Sequence, residues 1–220
     1  YRSDWDAVSM GYSAFDELPK NFADFLIGHV SAKVASKNEQ NIWNGDSANT
    51  GEFDGLTKLI SEDAGLPTAQ EVAGSSALNS ASTVVAELGS IVDAIPAELY
   101  GKEDLRIFIS QATHKAYVRA LGTLGYVDKF NNQALGEDLM FDGIKLCVVH
   151  GLSGFQAVAT TIDNIFFACG LQNDENIVKL IDMSDVDGSE NVRLIMRMTG
   201  AVQYYNIAEI VTYGITNSVN

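Results

Sequence analysis

The chain has few of the residues that build metal sites, disulfide frameworks and nucleophilic centres. It contains two cysteines and three histidines, and none of them is paired at zinc-site spacing. Cys147 and Cys169 both lie in apolar, strand-like runs, so we expect buried thiols rather than a disulfide. Neither a phosphate-binding P-loop nor the glycine pattern of dinucleotide-binding folds occurs. The sequence therefore predicts no metal, no cofactor and no catalytic residue.

Long apolar runs and an excess of positive charge are also absent. No run approaches the roughly 20 apolar residues needed to cross a bilayer, and the opening YRSDWDAVSM lacks the pattern of a signal peptide. The chain carries 14 Lys and Arg against 29 Asp and Glu, a formal net charge of −15. Phosphate binding needs clustered cations, so this charge disfavours a surface that grips nucleic acid. It favours solubility, and it also suits a protein that lies near nucleic acid without binding it.

Hydrophobic residues make up 46% of the 220 residues and charged residues 20%, which is typical of a globular chain. Length allows one large domain or two small ones. The first organised segment, FDELPKNFADFLIGHVSAKVASKNEQNIW, has apolar residues at helical spacing. We expect Asp16 as its N-cap, Pro19 in its first turn and an end between Lys37 and Gln40. A helix of about six turns is long for a globular domain, where about three is typical.

Turn residues follow in NGDSANTGEFDGL, and 61–76 is predicted to be an irregular connection. A second helix is expected at about 79–95, then a buried strand at 105–110, and then a third helix capped by Ser110 and ending at Gly122 or Gly125. Short β-rich runs between turn residues predict the later strands, at 144–150, 164–170, 176–184, 192–198 and 209–215. In the run at 192–198, alternation indicates a strand with one wet face. The class is therefore α+β.

Ser153, in the stretch HGLSGF, is the one candidate nucleophile. A nucleophile elbow needs glycine two residues before and two residues after the serine, but Phe155 occupies the second glycine position. A serine enzyme would also need a histidine and a carboxylate brought to Ser153, whereas His29 and His114 lie in predicted helices. A glycine turn after a strand explains the stretch better.

Two further stretches invite a ligand. In DMSDVDGSE, Asp185, Asp187 and Gly188 fit part of a calcium loop, but Met183 and Leu194 fall at ligand positions and the flanks are strands. A solvated turn is the better interpretation. Trp43, Tyr204 and Tyr205 could stack on a ligand, although aromatic residues at such places more often anchor a core or an interface.

The order of elements resembles the HK97-like fold of the major capsid proteins of tailed bacteriophages. A long helix ends in the elbow IWNGDSANTGEFDGL, and the helix NSASTVVAELGSIVDAI and the strand–helix pair LRIFISQATHKAYVRAL follow. Then come MFDGIKLCVVHGL, NIFFACGLQNDENIVKLIDMSD and the closing meander NVRLIMRMTGAVQYYNIAEIVTYGI. The resemblance covers 15–215 and rests on this order rather than on one specific motif.

The resemblance implies a spine helix, a peripheral domain and an axial domain. It places the peripheral domain at 1–96 and 186–220 and the axial domain at 97–185. Family members normally carry an N-terminal arm and an extended loop before the spine helix, but here only residues 1–14 precede it. No lysine–asparagine crosslinking pair can therefore be carried over. On this reading Trp43 is a packing anchor, and the glycines of the elbow supply positive φ angles.

The function implied is that of a non-enzymatic coat subunit. It would form hexamers and pentamers of an icosahedral phage or prophage capsid around double-stranded DNA, without specific DNA binding and without a membrane. Scaffold, protease, portal and decoration proteins would be its other partners. It would be assembled in the cytoplasm of a bacterial host. Two alternatives remain open: an encapsulin-like compartment shell, and a small serine hydrolase using Ser153.

Overall fold

The computed structural model describes residues 20–74, 78–125, 139–170, 178–183, 188 and 191–218. The chain divides into two compact units. Tyr1–Lys37 with Cys169–Thr199 form the first, called here the ribbon unit, and Asn38–Ala168 with Gly200–Asn220 form the second, the sheet unit. The assignment of axial and peripheral domains to 97–185 and to its flanks stays a prediction.

The described residues contain four α-helices. They are α1 (Lys20–Asn44), α2 (Leu56–Ser61), α3 (Val84–Asp93) and α4 (Gln111–Thr123). Short 3-10 helices lie at Thr68–Gln70, Ile162–Asn164 and Ile207–Glu209. The strands, in chain order, are β1 (Glu71–Val72), β2 (Leu105–Ser110), β3 (Met140–Phe141), β4 (Ile144–Val149), β5 (Ala157–Thr161), β6 (Ile165–Cys169), β7 (Val178–Asp182), β8 (Val192–Met196), β9 (Gly200–Tyr204) and β10 (Val211–Tyr213).

A mixed six-stranded sheet is the centre of the sheet unit, with the strand order β1-β10-β5-β2-β4-β3. Strand β2 pairs with β4 in parallel and with β5 in antiparallel orientation, so that Ile107 lies beside both Leu146 and Ala159. Strand β10 pairs with β5 in antiparallel and with β1 in parallel orientation. The end of the chain thereby joins the same sheet as its middle.

Both faces of this sheet are covered because side chains alternate along buried strands. Ile107 and Ile109 of β2 pack in one core with helices α3 and α4. Phe108, between them, packs in a second core with Trp43, at the end of α1, and with Leu56 of α2. Helices α3 and α4 thus lie on one side, and the end of α1, α2 and β9 contribute to the other.

The predicted helices are present, with different limits. Helix α1 runs on to Asn44 because Asn41 and Trp43 are buried, 3% and 4% exposed, and tertiary packing outweighs the polar composition of 37–40. Asp16 and Pro19 lie outside the described residues. Helix α3 begins at Val84 rather than near 79, after a turn in which the Val84 N–H donates to the Ser80 carbonyl oxygen. The Ser110 cap is confirmed, since its hydroxyl accepts from the Thr113 N–H at 3.2 Å.

Each predicted strand contains an observed one, but four observed strands, β1, β3, β5 and β9, were not predicted. Strand β5 is buried at all five positions in the middle of the sheet, and β1 and β3 are two residues long. The short strand β1 also interrupts the connection expected at 61–76. The buried-thiol prediction is wrong for Cys169, which is exposed, and Cys147 is half-buried. Both cysteines lie among the described residues, and neither forms a disulfide.

The ribbon unit contains the antiparallel pair β7–β8. Val192, Leu194 and Met196 are half-buried, whereas Arg193 and Ile195 are exposed, which confirms the predicted alternation. The second two-stranded pair, β6–β9, lies mainly in the sheet unit, and Phe166 and Phe167, on opposite faces of β6, are both exposed.

Candidate functional site

Ser153 lies exposed in the turn before β5, and the turn explains its surroundings. The Ser153 N–H donates to Gln156 Oε1 at 3.4 Å, and the Gln156 N–H donates to the Ser153 carbonyl oxygen at 3.2 Å. A Cβ on Gly151 would meet the Glu39 carbonyl oxygen and would lie 2.7 Å from Trp43 Cδ1. Close packing therefore requires this glycine, without any need for a nucleophile elbow.

The histidines do not complete a catalytic arrangement with Ser153. Within the described residues, no hydrogen bond joins the Ser153 hydroxyl to a histidine or a carboxylate. His114 is half-buried on α4, and burial lowers its pKa. His29 is exposed on α1 and stacks on Phe25, with ring centroids 6.3 Å apart. His150 is exposed at the end of β4.

In the described part of the chain, neither the calcium-like stretch nor Trp43 forms a ligand-binding site. Asp185 and Asp187 of the calcium-like stretch lie outside it. Over the described ranges, no group of three His, Cys, Asp or Glu side chains could hold a metal ion. Trp43 is a core residue, 4% exposed, with its ring 5.2 Å from that of Phe108, so it cannot stack on a ligand. Its predicted role as a packing anchor is confirmed.

Tyr204 is half-buried and serves a structural contact. Its hydroxyl donates to Asp63 Oδ2 at 2.5 Å, and Asp63 Oδ1 accepts from the Gly65 N–H at 2.7 Å. The Tyr204 hydrogen bond, followed by the Gly65 N–H, holds the pKa of Asp63 below its ordinary value of 3.8. Burial, followed by the Asp63 contact, raises the pKa of Tyr204. Tyr205, next in sequence, is 84% exposed.

The elbow after α1 is closed by a set of hydrogen bonds. The Gly55 N–H donates to the Gly45 carbonyl oxygen at 2.9 Å, which joins the two ends of the loop. The Thr57 hydroxyl contacts the Trp43 carbonyl oxygen at 2.7 Å and Asn44 Oδ1 at 2.8 Å, and the Asn44 amide donates to the Gly151 carbonyl oxygen. The end of α1 is thereby fixed both to α2 and to the turn before β5.

Lys58 forms ion pairs with two carboxylates of the same elbow. Its ammonium lies 2.7 Å from Asp46 Oδ1 and 2.6 Å from Asp54 Oδ1. Asp54 also accepts from the Ser47 N–H and hydroxyl, at 2.9 and 3.0 Å. The Lys58 contact lowers the pKa of Asp54 to about 2, and the two carboxylates raise the pKa of Lys58. The i, i+4 spacing of Asp54 and Lys58 was the available signal for this pair, which the sequence analysis missed.

Glycine is required in the elbow for two different structural reasons. Gly51 has a φ of +83°, as predicted. Gly45 and Gly55 do not adopt positive φ, so the prediction is wrong for them; they are needed because backbones pass closely. A Cβ on Gly55 would lie 2.6 Å from both the Gly45 nitrogen and the Trp43 carbonyl oxygen. The elbow is thus a structural junction held by close backbone packing and hydrogen bonds.

Large hydrophobic side chains on the surface are the other notable feature. On the sheet unit, the described ones are Tyr100, Leu124, Met140, Val148, Phe155, Ile162, Phe166, Phe167 and Tyr205. On the ribbon unit they are Phe25, Ile181, Ile195 and Met198. Most of α1 between Asp24 and Gln40 is exposed or half-buried. Exposed hydrophobic side chains that lie singly are normal on protein surfaces, and contiguous patches of them mark binding surfaces.

Comparisons with known proteins bear on the fold. Protein-family models give no match, and neither do curated proteins. Among solved structures, the fold is similar to that of a chain in "Satellite phage P4 procapsid including size determination (Sid) protein", with a TM-score of 0.56 at 9% sequence identity. The match covers 88% of this chain and 63% of that chain. The mixed α+β fold is therefore like that of a phage procapsid chain, and this chain spans less than two thirds of its length.

No helix among the described residues has the length and hydrophobicity to span a membrane.

Proposed function

We propose that the chain is a structural coat subunit of a phage or prophage capsid with the HK97-like fold. The observation that carries this proposal is the fold shared with a procapsid chain over 88% of the present chain. The order of elements supports it independently, because that order resembles the same family in the sequence alone. A non-enzymatic role agrees with the surroundings of Ser153, which are those of a packed turn.

The proposal includes assembly. Subunits would form hexamers and pentamers of an icosahedral shell that encloses double-stranded DNA, so the protein would reside in the virion after assembly in the bacterial cytoplasm. In this proposal 97–185 form the axial domain and the flanking residues the peripheral domain. Scaffold, protease, portal and decoration proteins are the further partners. The exposed apolar side chains and the exposed α1 supply surface that neighbouring subunits would bury.

Negative-stain electron microscopy of the complete gene product, expressed alone, tests the proposal. Closed shells or capsomer rings are the expected result, with nucleic acid content read from absorbance at two wavelengths. Shells that carry a co-purified protein cargo would instead support an encapsulin-like compartment. A monomer at every concentration and salt level would overturn the coat function.

A further inference from the structure

One face of the β7–β8 ribbon is basic. Lys179 pairs across the ribbon with Ile195, and Ile181 pairs with Arg193. Because side chains alternate along a strand, these four residues share one face, and all four are exposed. Arg197, directly after the end of β8, is exposed as well. The opposite face, which includes Leu180 and Leu194, is half-buried. The exposed face therefore combines two cations with two isoleucines, and Arg197 adds a third cation directly after β8.

These cations have no partner among the residues that the structure describes. Within the described residues, none of Lys179, Arg193 and Arg197 forms an ion pair or a side-chain hydrogen bond. Ile181 and Ile195 are each 36% exposed. In a chain with a net charge of −15, three cations that form no ion pair within the described residues are therefore exposed on one ribbon.

The opposite charge collects at one end of the six-stranded sheet. Glu103, Asp104, Asp142 and Asp163 are all exposed there, and none of their carboxylates forms an ion pair within the described part of the chain. We call this surface the acidic sheet end. Two open clefts of about 530 Å³ and about 320 Å³ lie at it and share Asp104 in their linings.

Two of the cations at the acidic sheet end contact other groups. Lys102 lies 3.7 Å from Glu209 Oε2, and the Arg106 guanidinium donates to the Glu103 and Leu105 carbonyl oxygens. Lys145 is the third cation in the linings. Apolar surface is present too, since Tyr100 and Tyr205, which line the two clefts, are both exposed.

We propose that the basic ribbon face of one copy docks on the acidic sheet end of a second copy, an inference that rests on the proposed role as a coat subunit. The two surfaces carry opposite, unpaired charges and each adds exposed apolar side chains, which is the composition of a specific interface. They are different surfaces, so the contact is heterologous. Heterologous contacts form closed rings when the rotation between copies closes.

Nucleic acid is the competing occupant of the basic face. Three cations would also attract phosphates. The net charge of −15 opposes this, because a duplex approaching the ribbon is repelled by the rest of the molecule. A second copy carries the same net charge, but its acidic sheet end adds exposed apolar side chains that a duplex does not offer.

Charge reversal in the complete gene product tests the contact. Arg193→Glu with Arg197→Glu should raise the concentration at which assembly begins by about tenfold or more, because the contact becomes repulsive. Adding Asp104→Lys and Asp163→Lys to the same chain should restore assembly. Rescue requires a folded protein, so it separates a lost contact from a lost fold. Light scattering and electron microscopy report assembly.

Lys115→Glu with Arg119→Glu is the matched control. Both residues are exposed on α4, and the change in net charge equals that of the ribbon variant. This control should assemble as the wild type does. If it loses assembly to the same degree, net charge and not the ribbon is responsible, and the proposed contact is overturned.

The remaining outcomes separate the contact from the coat function. Wild-type shells together with unimpaired assembly of the ribbon variant would overturn the contact and leave the coat function standing. If the ribbon variant assembles normally but no longer co-purifies with nucleic acid, the ribbon binds nucleic acid and not a second copy. The wild type could also form rings or open chains without shells. If the ribbon substitutions abolish these assemblies and the Asp104→Lys and Asp163→Lys changes restore them, the contact is supported and the closed shell is refuted. Absence of any self-association would overturn both.

Discussion

At the scale of single residues, Asp63 and Tyr204 connect segments that lie 141 positions apart in sequence. The phenol donates and the ionised carboxylate accepts, so each partner stabilises the form of the other that is present at neutral pH. The Gly65 N–H gives Asp63 a second donor at 2.7 Å. A charged acceptor with two donors is stronger than an ordinary neutral hydrogen bond.

Replacing Tyr204 by Phe should lower the free energy of unfolding by about 1 to 2 kcal/mol at pH 7, because a hydrogen bond to a charged group is lost. The pKa of Asp63 is lowered in the fold, so its stabilisation is present above the unfolded value near 3.8 and is lost as pH falls through the folded pKa. The difference between wild type and variant should therefore shrink between pH 7 and pH 3. Urea denaturation at several pH values measures it.

Tyr205→Phe is the control for this change, since Tyr205 is 84% exposed and should give an unchanged urea midpoint. An equal effect of the two substitutions would show that the Asp63 contact contributes no stability. A difference that grows towards low pH would have the wrong sign for a lowered Asp63 pKa.

At the scale of elements, the elbow depends on glycine where two backbones cross. Gly45→Ala places a methyl group against the Phe53 carbonyl oxygen and 2.6 Å from the Asn41 carbonyl oxygen, both of them main-chain atoms that cannot rotate away. We expect a loss of roughly 2–4 kcal/mol in the free energy of unfolding, measured by chemical denaturation.

Gly28→Ala provides the matched control, because a Cβ there has nothing within 4 Å and the position is inside α1. It should be neutral or stabilising by about 0.5–1 kcal/mol through helix propensity. Equal stability of the two alanine variants would mean that the elbow widens without a loss of stability. The claim that close backbone packing requires glycine at position 45 would then be wrong.

The elements also show what sequence patterns can and cannot predict. Amphipathic spacing and turn residues predicted α1, α3, α4 and most strands, since those signals are local. Strand β5 was not predicted although three of its residues, AVATT, are β-branched, because the run is short and has no apolar-polar alternation. It is buried at every position between β2 and β10. The end of α1 was misplaced because Trp43 is buried by Phe108, distant in sequence.

The candidate surfaces were predictable only in part. The alternation around Arg193 and Arg197 indicated a ribbon with a wet face, and the structure adds Lys179 to that face through the β7–β8 register. The acidic sheet end could not be predicted. Its carboxylates come from three separate loops that adjoin only because β2, β4 and β5 are neighbours in the sheet. Register and strand order, which set both surfaces, depend on long-range pairing.

At the scale of the whole molecule, charge is distributed unevenly in a way that bears on DNA. The formal net charge of −15 repels DNA, which agrees with the proposed coat function, in which the subunit lies near DNA without binding it. The ribbon face differs from this overall charge, because its charged side chains are Lys179 and Arg193. Whether these two cations and Arg197 overcome the overall repulsion decides between the two occupants considered for it.

The unassembled chain should bind double-stranded DNA no more tightly than about 10⁻⁴ M at about 0.15 M salt, the weak end of non-specific binding. Fluorescence anisotropy with a labelled duplex measures this. If micromolar binding appears, its salt dependence identifies the surface, because three phosphate contacts give a slope near −2.7 in log K against log salt. Binding with that slope, abolished by Arg193→Glu with Arg197→Glu but not by Lys115→Glu with Arg119→Glu, would make the ribbon a DNA-facing element. Absence of binding in all three proteins leaves the acidic sheet end of a second copy as the partner whose charge fits.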